Sequence, residues 1–132
     1  MNANLENFIA ENKIQFSCEW IEERPDNLMS KNMDHWRCVL KANGRTYTFY
    51  YSQGYGYHHA EPVLASVLEL LANDYDPSDL TFEEFCSEYG YDEDSRKAEK
   101  VYLALRKETQ ALDRLFGEEG MEELRDILFN DD

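Results

Sequence analysis

Residues 73–95, NDYDPSDLTFEEFCSEYGYDEDS, hold nine carboxylates (Asp74, Asp76, Asp79, Glu83, Glu84, Glu88, Asp92, Glu93 and Asp94) and no Lys or Arg. Five aromatic rings (Tyr75, Phe82, Phe85, Tyr89 and Tyr91) are interleaved with them. Carboxylates at such density do one of three kinds of chemistry: they ligate a cation, they transfer protons, or they present charge to a cationic partner. Calcium requires a helix-loop-helix loop with Gly at its sixth position and a bidentate Glu at its twelfth. With Asp74 first and Asp76 third, those positions hold Asp79 and Phe85, so the match fails. Acid-base catalysis needs a carboxyl whose pKa is displaced by burial or by a like charge, and a solvated row of acids does not supply that.

The other reactive side chains give weaker signals. His58 and His59 are adjacent, and neighbours on an extended segment point opposite ways, which does not suit one zinc ion. Cys18, Cys38 and Cys86 are odd in number and widely spaced, with no CxxC pair, so they read as thiols in a reducing compartment. Cys18 and Cys38 are expected as small core residues on neighbouring strands, and Cys86, beside Phe85, as an inert thiol in an apolar setting. The GYG at 54–56 has neither the spacing nor the Lys of a phosphate loop. No metal, cofactor or enzymatic activity is expected.

Charge along the whole chain sharpens the third possibility. The 132 residues carry a net charge of −15. Residues 1–72 contribute −3, residues 73–95 contribute −9, residues 96–114 contribute +3 and residues 115–132 contribute −6. That balance argues against direct binding of nucleic acid, which needs Lys and Arg to displace counterions, and against anionic membrane surfaces. No apolar run reaches the length of a membrane span and no secretion signal is visible, so a cytoplasmic location is expected.

The elements that must position these residues follow from periodicity. Leu5, Phe8 and Ile9 mark a short helix over 4–12. KIQFSCEW then alternates, placing Ile14, Phe16, Cys18 and Trp20 on one side of a strand. A polar loop with Pro25 follows. Trp36, Cys38 and Leu40 alternate in HWRCVLKA, Asn43-Gly44 supplies a tight turn, and RTYTFYYS returns, giving an antiparallel meander. The loop QGYGYHHAE leads to Pro62 at the first turn of a helix over 62–73. Asp79 or Thr81 caps a short helix to about Glu88 that ends near Gly90, and Asp94 or Ser95 caps a longer one to about Phe116. Gly117 separates it from a last helix bearing Met121, Leu124, Ile127 and Leu128. The expectation is one α+β domain over 1–132, a three-stranded antiparallel meander packed against C-terminal helices.

On this frame the acidic block has two readings. In one, Glu83, Glu84 and Glu88 are the solvent face of a helix, and Asp92, Glu93 and Asp94 favour the N-terminus of the next, with Arg96, Lys97 and Lys100 neutralising part of the charge. In the other, the same carboxylates imitate a phosphate track, whose spacing in duplex DNA is about one charge per 1.7 Å, and occupy a nucleic-acid site on a basic protein. Tyr89 and Tyr91 would then be anchors. The loop Tyr55, Tyr57, His58 and His59 is equally readable as a connector or as a second contact.

FEEFCSEYGYDEDSRKAEKVYLAL (82–105), with YTFYYSQGYGYHH (47–59) upstream, resembles small acidic proteins encoded by bacteriophages and prophages. The resemblance implies a setting in which acidic proteins act on host defence, including restriction enzymes and CRISPR effector complexes. It favours the second reading: a protein that binds and inhibits a basic host nuclease or effector complex in the host cytoplasm, of anti-CRISPR or anti-restriction type, as a DNA mimic. The alternatives are a phage accessory or structural protein whose acidity serves solubility, and an enzyme using Cys86 or the histidine pair.

Overall fold

The structure, a computed structural model, describes residues 3–25, 33–54, 60–76 and 80–129. Its centre is a hairpin. β2 (Met33–Ala42) and β3 (Arg45–Gly54) are joined by Asn43 and Gly44, whose φ of 53° and 78° make the two-residue turn that fits the right-handed twist of paired strands. β1 (Gln15–Ile21) pairs antiparallel with β2, giving the sheet order β1-β2-β3.

Alternation along each strand sorts the side chains into two faces. Register stacks Phe16, Leu40 and Tyr47 in one row, Cys18, Cys38 and Phe49 in the next, and Trp20, Trp36 and Tyr51 in a third. This face meets the helices. α1 (Ala3–Glu11) contributes Leu5 and Phe8, and α2 (Leu64–Asp74) contributes Val67, Leu68, Leu71 and Ala72. The second half of α4 (Arg96–Phe129) contributes Leu112, Leu115, Met121 and Leu124. The opposite face is more polar: Arg37 pairs with Glu19 at 3.0 Å, and His35 Nδ1 lies 2.7 Å from Ser52 Oγ. The α+β architecture is therefore as expected, with a three-stranded meander under helices.

Several boundaries differ from expectation, each for a local reason. Trp20 shares the inner face of its strand yet is 49% exposed, because β1 is an edge strand and α4 packs over β2 and β3. β3 extends to Gly54, two residues further than its alternation suggested. α2 begins at Leu64, with Val63 as its N-cap residue, so Pro62 lies just outside the helix rather than in its first turn. As expected, Gly117 breaks the helical run after Phe116: its φ of 76° and ψ of 164°, a backbone region open essentially to glycine, make a kink inside α4 between a longer helix and a last one. The Tyr55–His59 loop and Asp79 lie outside the described residues.

A second, smaller cluster stands apart from the main core. α3 (Phe82–Tyr89) buries Phe85 and Cys86 against Ala98 of α4, flanked by Phe82, Tyr91, Val101, Tyr102 and Leu105. One helix, α4, therefore serves both clusters: its first turns pack on α3 and its later turns on the sheet.

Candidate functional site

The acidic block is organised by α3 and its two ends. Thr81 accepts the backbone N–H of Glu84 at 3.2 Å, and the Glu84 carboxylate accepts the Thr81 hydroxyl at 3.0 Å and the Thr81 N–H at 3.4 Å. This reciprocal capping box fixes the start of the helix. Gly90, with φ 76°, closes the other end in the left-handed conformation, and its neighbour Tyr91 donates its N–H to the Cys86 carbonyl at 3.0 Å. Ser95 then opens α4 by accepting the N–H of Ala98 at 3.1 Å. Of the two expected caps in each case, Thr81 and Ser95 are used.

Between these caps the rings lock the element in place. Phe85 lies 4.8 Å from Tyr89, 5.3 Å from Tyr102 and 5.7 Å from Tyr91, ring centre to ring centre. Tyr102 also donates its hydroxyl to the Leu80 carbonyl at 2.6 Å. Tyr91 is therefore spent largely on packing, whereas Tyr89 remains 55% exposed.

The nine carboxylates fall into three groups. Glu83, Glu84 and Glu88 project from the solvent side of α3, with Glu84 engaged in its own cap. Asp92, Glu93 and Asp94 sit exposed on the corner before α4, where the positive end of that helix favours them. Asp74 and Asp76 are half-buried at the end of α2. Burial pushes the Asp74 carboxyl above the usual range, with a hydrogen bond from Asn73 pulling it part-way back. Asp76 donates its N–H to Thr109 Oγ1 at 3.2 Å and accepts Arg106 at its carbonyl at 3.2 Å. Among the described residues, Glu83, Glu84, Glu88, Asp92, Glu93 and Asp94 form no ion pair with Lys or Arg. The expected partial neutralisation by Arg96, Lys97 and Lys100 is not seen as close pairing there.

Two of these groups meet at an open groove of about 460 Å³ between α2, α3 and α4. Asp74, Asp76, Glu88 and Tyr89 line it, together with Leu105 and Arg125 of α4. Leu105 was legible as part of the apolar stripe of α4, but Arg125 sits twenty residues away in an acidic segment and carried no local signal. Chemically, the groove and the outer face of α3 offer several carboxylates beside one aromatic ring. That arrangement suits guanidinium or ammonium groups, by charge and by stacking on Tyr89.

Among the described residues, which exclude His58 and His59, the thiols and His35 form no comparable arrangement. Cys38 and His35 lie on opposite faces of β2. Burial pushes the Cys38 thiol up to about 12, and burial followed by the charges of Glu93 and Asp92 raises Cys86. Among the described residues, no three His, Cys, Asp or Glu side chains are grouped to hold a metal ion, and no helix is long and apolar enough to cross a membrane. Comparison with family models, with curated proteins and with solved structures finds no match.

Proposed function

We propose that this chain is a phage-encoded, non-enzymatic interaction protein of the host cytoplasm. It binds a basic nucleic-acid-acting defence protein, such as a nuclease or an effector complex of anti-CRISPR or anti-restriction relevance, and blocks it as a DNA mimic. The observation that supports this reading most is that, among the described residues, the carboxylates on α3 and on the corner before α4 form no ion pair with Lys or Arg. Glu83 and Glu88 are held by a helix that is capped at both ends and packed through Phe85 against three tyrosine rings, and Asp92, Glu93 and Asp94 follow on the corner that leads from it to α4. Preorganised charge of this kind loses little entropy on binding and accelerates encounter with a cationic surface. The phage setting rests on the resemblance of residues 82–105 and 47–59.

The test is protection of a phage against a restriction or CRISPR system when the chain is expressed in the defended host. The expected result is restored plating, lost in the Glu83→Lys, Glu88→Lys, Glu93→Lys variant, together with salt-sensitive capture of the nuclease by wild type alone. Retained capture by that variant, while it keeps the wild-type circular dichroism spectrum, overturns the mimicry. Absence of protection and of capture across defence systems leaves the accessory role in which acidity serves solubility.

A further inference from the structure

Against the net charge of the chain, one concave surface is basic. A groove of about 500 Å³ runs between the free edge of β3 and the flank of α4, within the size range of ligand sites. Arg45, Thr46 and Thr48 form one wall, and Lys107, Gln110 and Arg114 form the other, with no carboxylate among the residues that line it. The helical wall follows from spacing: positions 107, 110, 111 and 114 share one face of an α-helix. Asn43 holds the two walls in register by donating to the Leu115 carbonyl at 2.8 Å, which ties the hairpin tip to α4. Among the described residues, Arg45, Lys107 and Arg114 form no ion pair.

The strand wall also offers backbone. The two-residue turn makes Ala42 and Arg45 the hydrogen-bonded pair that closes the hairpin. Alternation along an antiparallel ladder then turns the N–H and C=O of Thr46 and Thr48 away from β2, toward the groove. β3 has no further strand beside it among the described residues, and no other backbone partner of Thr46 or Thr48 is present there. An extended segment laid along this edge would complete the ladder, and its side chains would meet the three cations.

We propose that this groove takes an acidic peptide segment of a partner protein as a fourth strand, antiparallel or parallel to β3. Main-chain hydrogen bonds supply the affinity, and carboxylates at alternate positions, matched to Arg45, Lys107 and Arg114, supply the selectivity. The surface is separate from the acidic face of α3, so the inference does not rest on the function proposed above.

The test uses the full chain and a peptide of about eight residues alternating Glu with Val, at about 0.15 M salt so that long-range repulsion is screened. The same peptide with Lys for Glu, and inorganic phosphate, are the comparison ligands. Saturable binding of the Glu peptide is expected, with new hydrogen-exchange protection at the Thr46 and Thr48 amides of the wild-type chain. Charge reversal in the K107E/R114E pair should weaken binding about tenfold or more. Thr48→Pro should do the same, because it removes an outward N–H without breaking a ladder bond. The exchange readout on wild type keeps the test decisive if Thr48→Pro fails to fold. Four results overturn the proposal: no binding, equal binding of the Lys peptide, full displacement by phosphate without amide protection, or self-association of the chain that K107E/R114E abolishes.

Discussion

The main core and the α3 cluster share one long helix but are built on different principles. Around the sheet, aliphatic side chains from α1, α2 and the later turns of α4 close over β2 and β3, and Leu40, Val67, Leu68, Leu112 and Leu124 are fully buried. Around α3 the buried set is small, Phe85, Cys86 and Ala98, and stability comes from ring packing, two helix caps and the Tyr102 hydroxyl. The first region is held by volume and long-range strand pairing. The second is held by local geometry, which lets most of its surface be carboxylate. A short, capped element pinned by aromatics can carry charge that a sheet face packed into the core cannot, because few of its side chains must be buried.

The comparison breaks most clearly under truncation. Leu40→Ala should cost about 2–5 kcal/mol and lower the global unfolding free energy, since a cavity opens between sheet and helices. Phe85→Ala should instead erase hydrogen-exchange protection in α3 and the first turns of α4 while the strands keep theirs. Equal loss of protection in the strands would show that the two clusters unfold as one unit.

Acidity is the next lever, and it acts on the main core. Glu108 is half-buried on α4, its buried Oε2 has no hydrogen-bond partner among the described residues, and its carboxyl is pushed up to about 8 by desolvation first and by the charge of Asp74 second. Arg24 offsets part of that shift. Because the folded state holds this proton more tightly than the unfolded chain, the stabilisation is complete below the usual value of 4.5 and is lost as pH rises to about 8. Unfolding free energies from denaturant titrations should therefore fall across that window, by on the order of 1 kcal/mol per pH unit. Glu108→Gln should flatten the slope, and an unchanged slope would assign it to other groups.

The smallest effects separate two glycines. Gly117→Ala forces a side chain into a region open essentially to glycine and should cost about 1–3 kcal/mol. Gly90→Ala, at a left-handed cap with open space around it, should cost about 1 kcal/mol and act on α3 alone. Thermal melts with exchange mapping distinguish the two, and the reverse ranking would mean that the α4 break tolerates a β-carbon.

Much of this arrangement was legible in the chain. The Asn43-Gly44 turn, the period-two rows around Cys18 and Cys38, and the glycines at 90 and 117 act through neighbours in sequence, so their outcome follows from local sterics and alternation. The Thr81–Glu84 box was equally local, yet Glu84 read from charge alone looked like plain solvent face. What residues 73–95 could not disclose is their division: Asp74 and Asp76 are half-buried, with the Asp76 backbone bonded to Thr109 and Arg106 of α4, while Glu83 and Glu88 are exposed.

That division, the partial burial of Glu108, and the meeting of Arg45 with Lys107 and Arg114 are tertiary outcomes. Each depends on how far α4 reaches and against what it lies, with partners separated by tens of residues. Sequence alone determined the element types and the total charge, because periodicity and ionisation belong to single residues and their neighbours. Which charges are spent inside the fold and which remain for a partner was decided only when distant helices and strands closed on one another, since desolvation and pairing exist only between groups brought together in space.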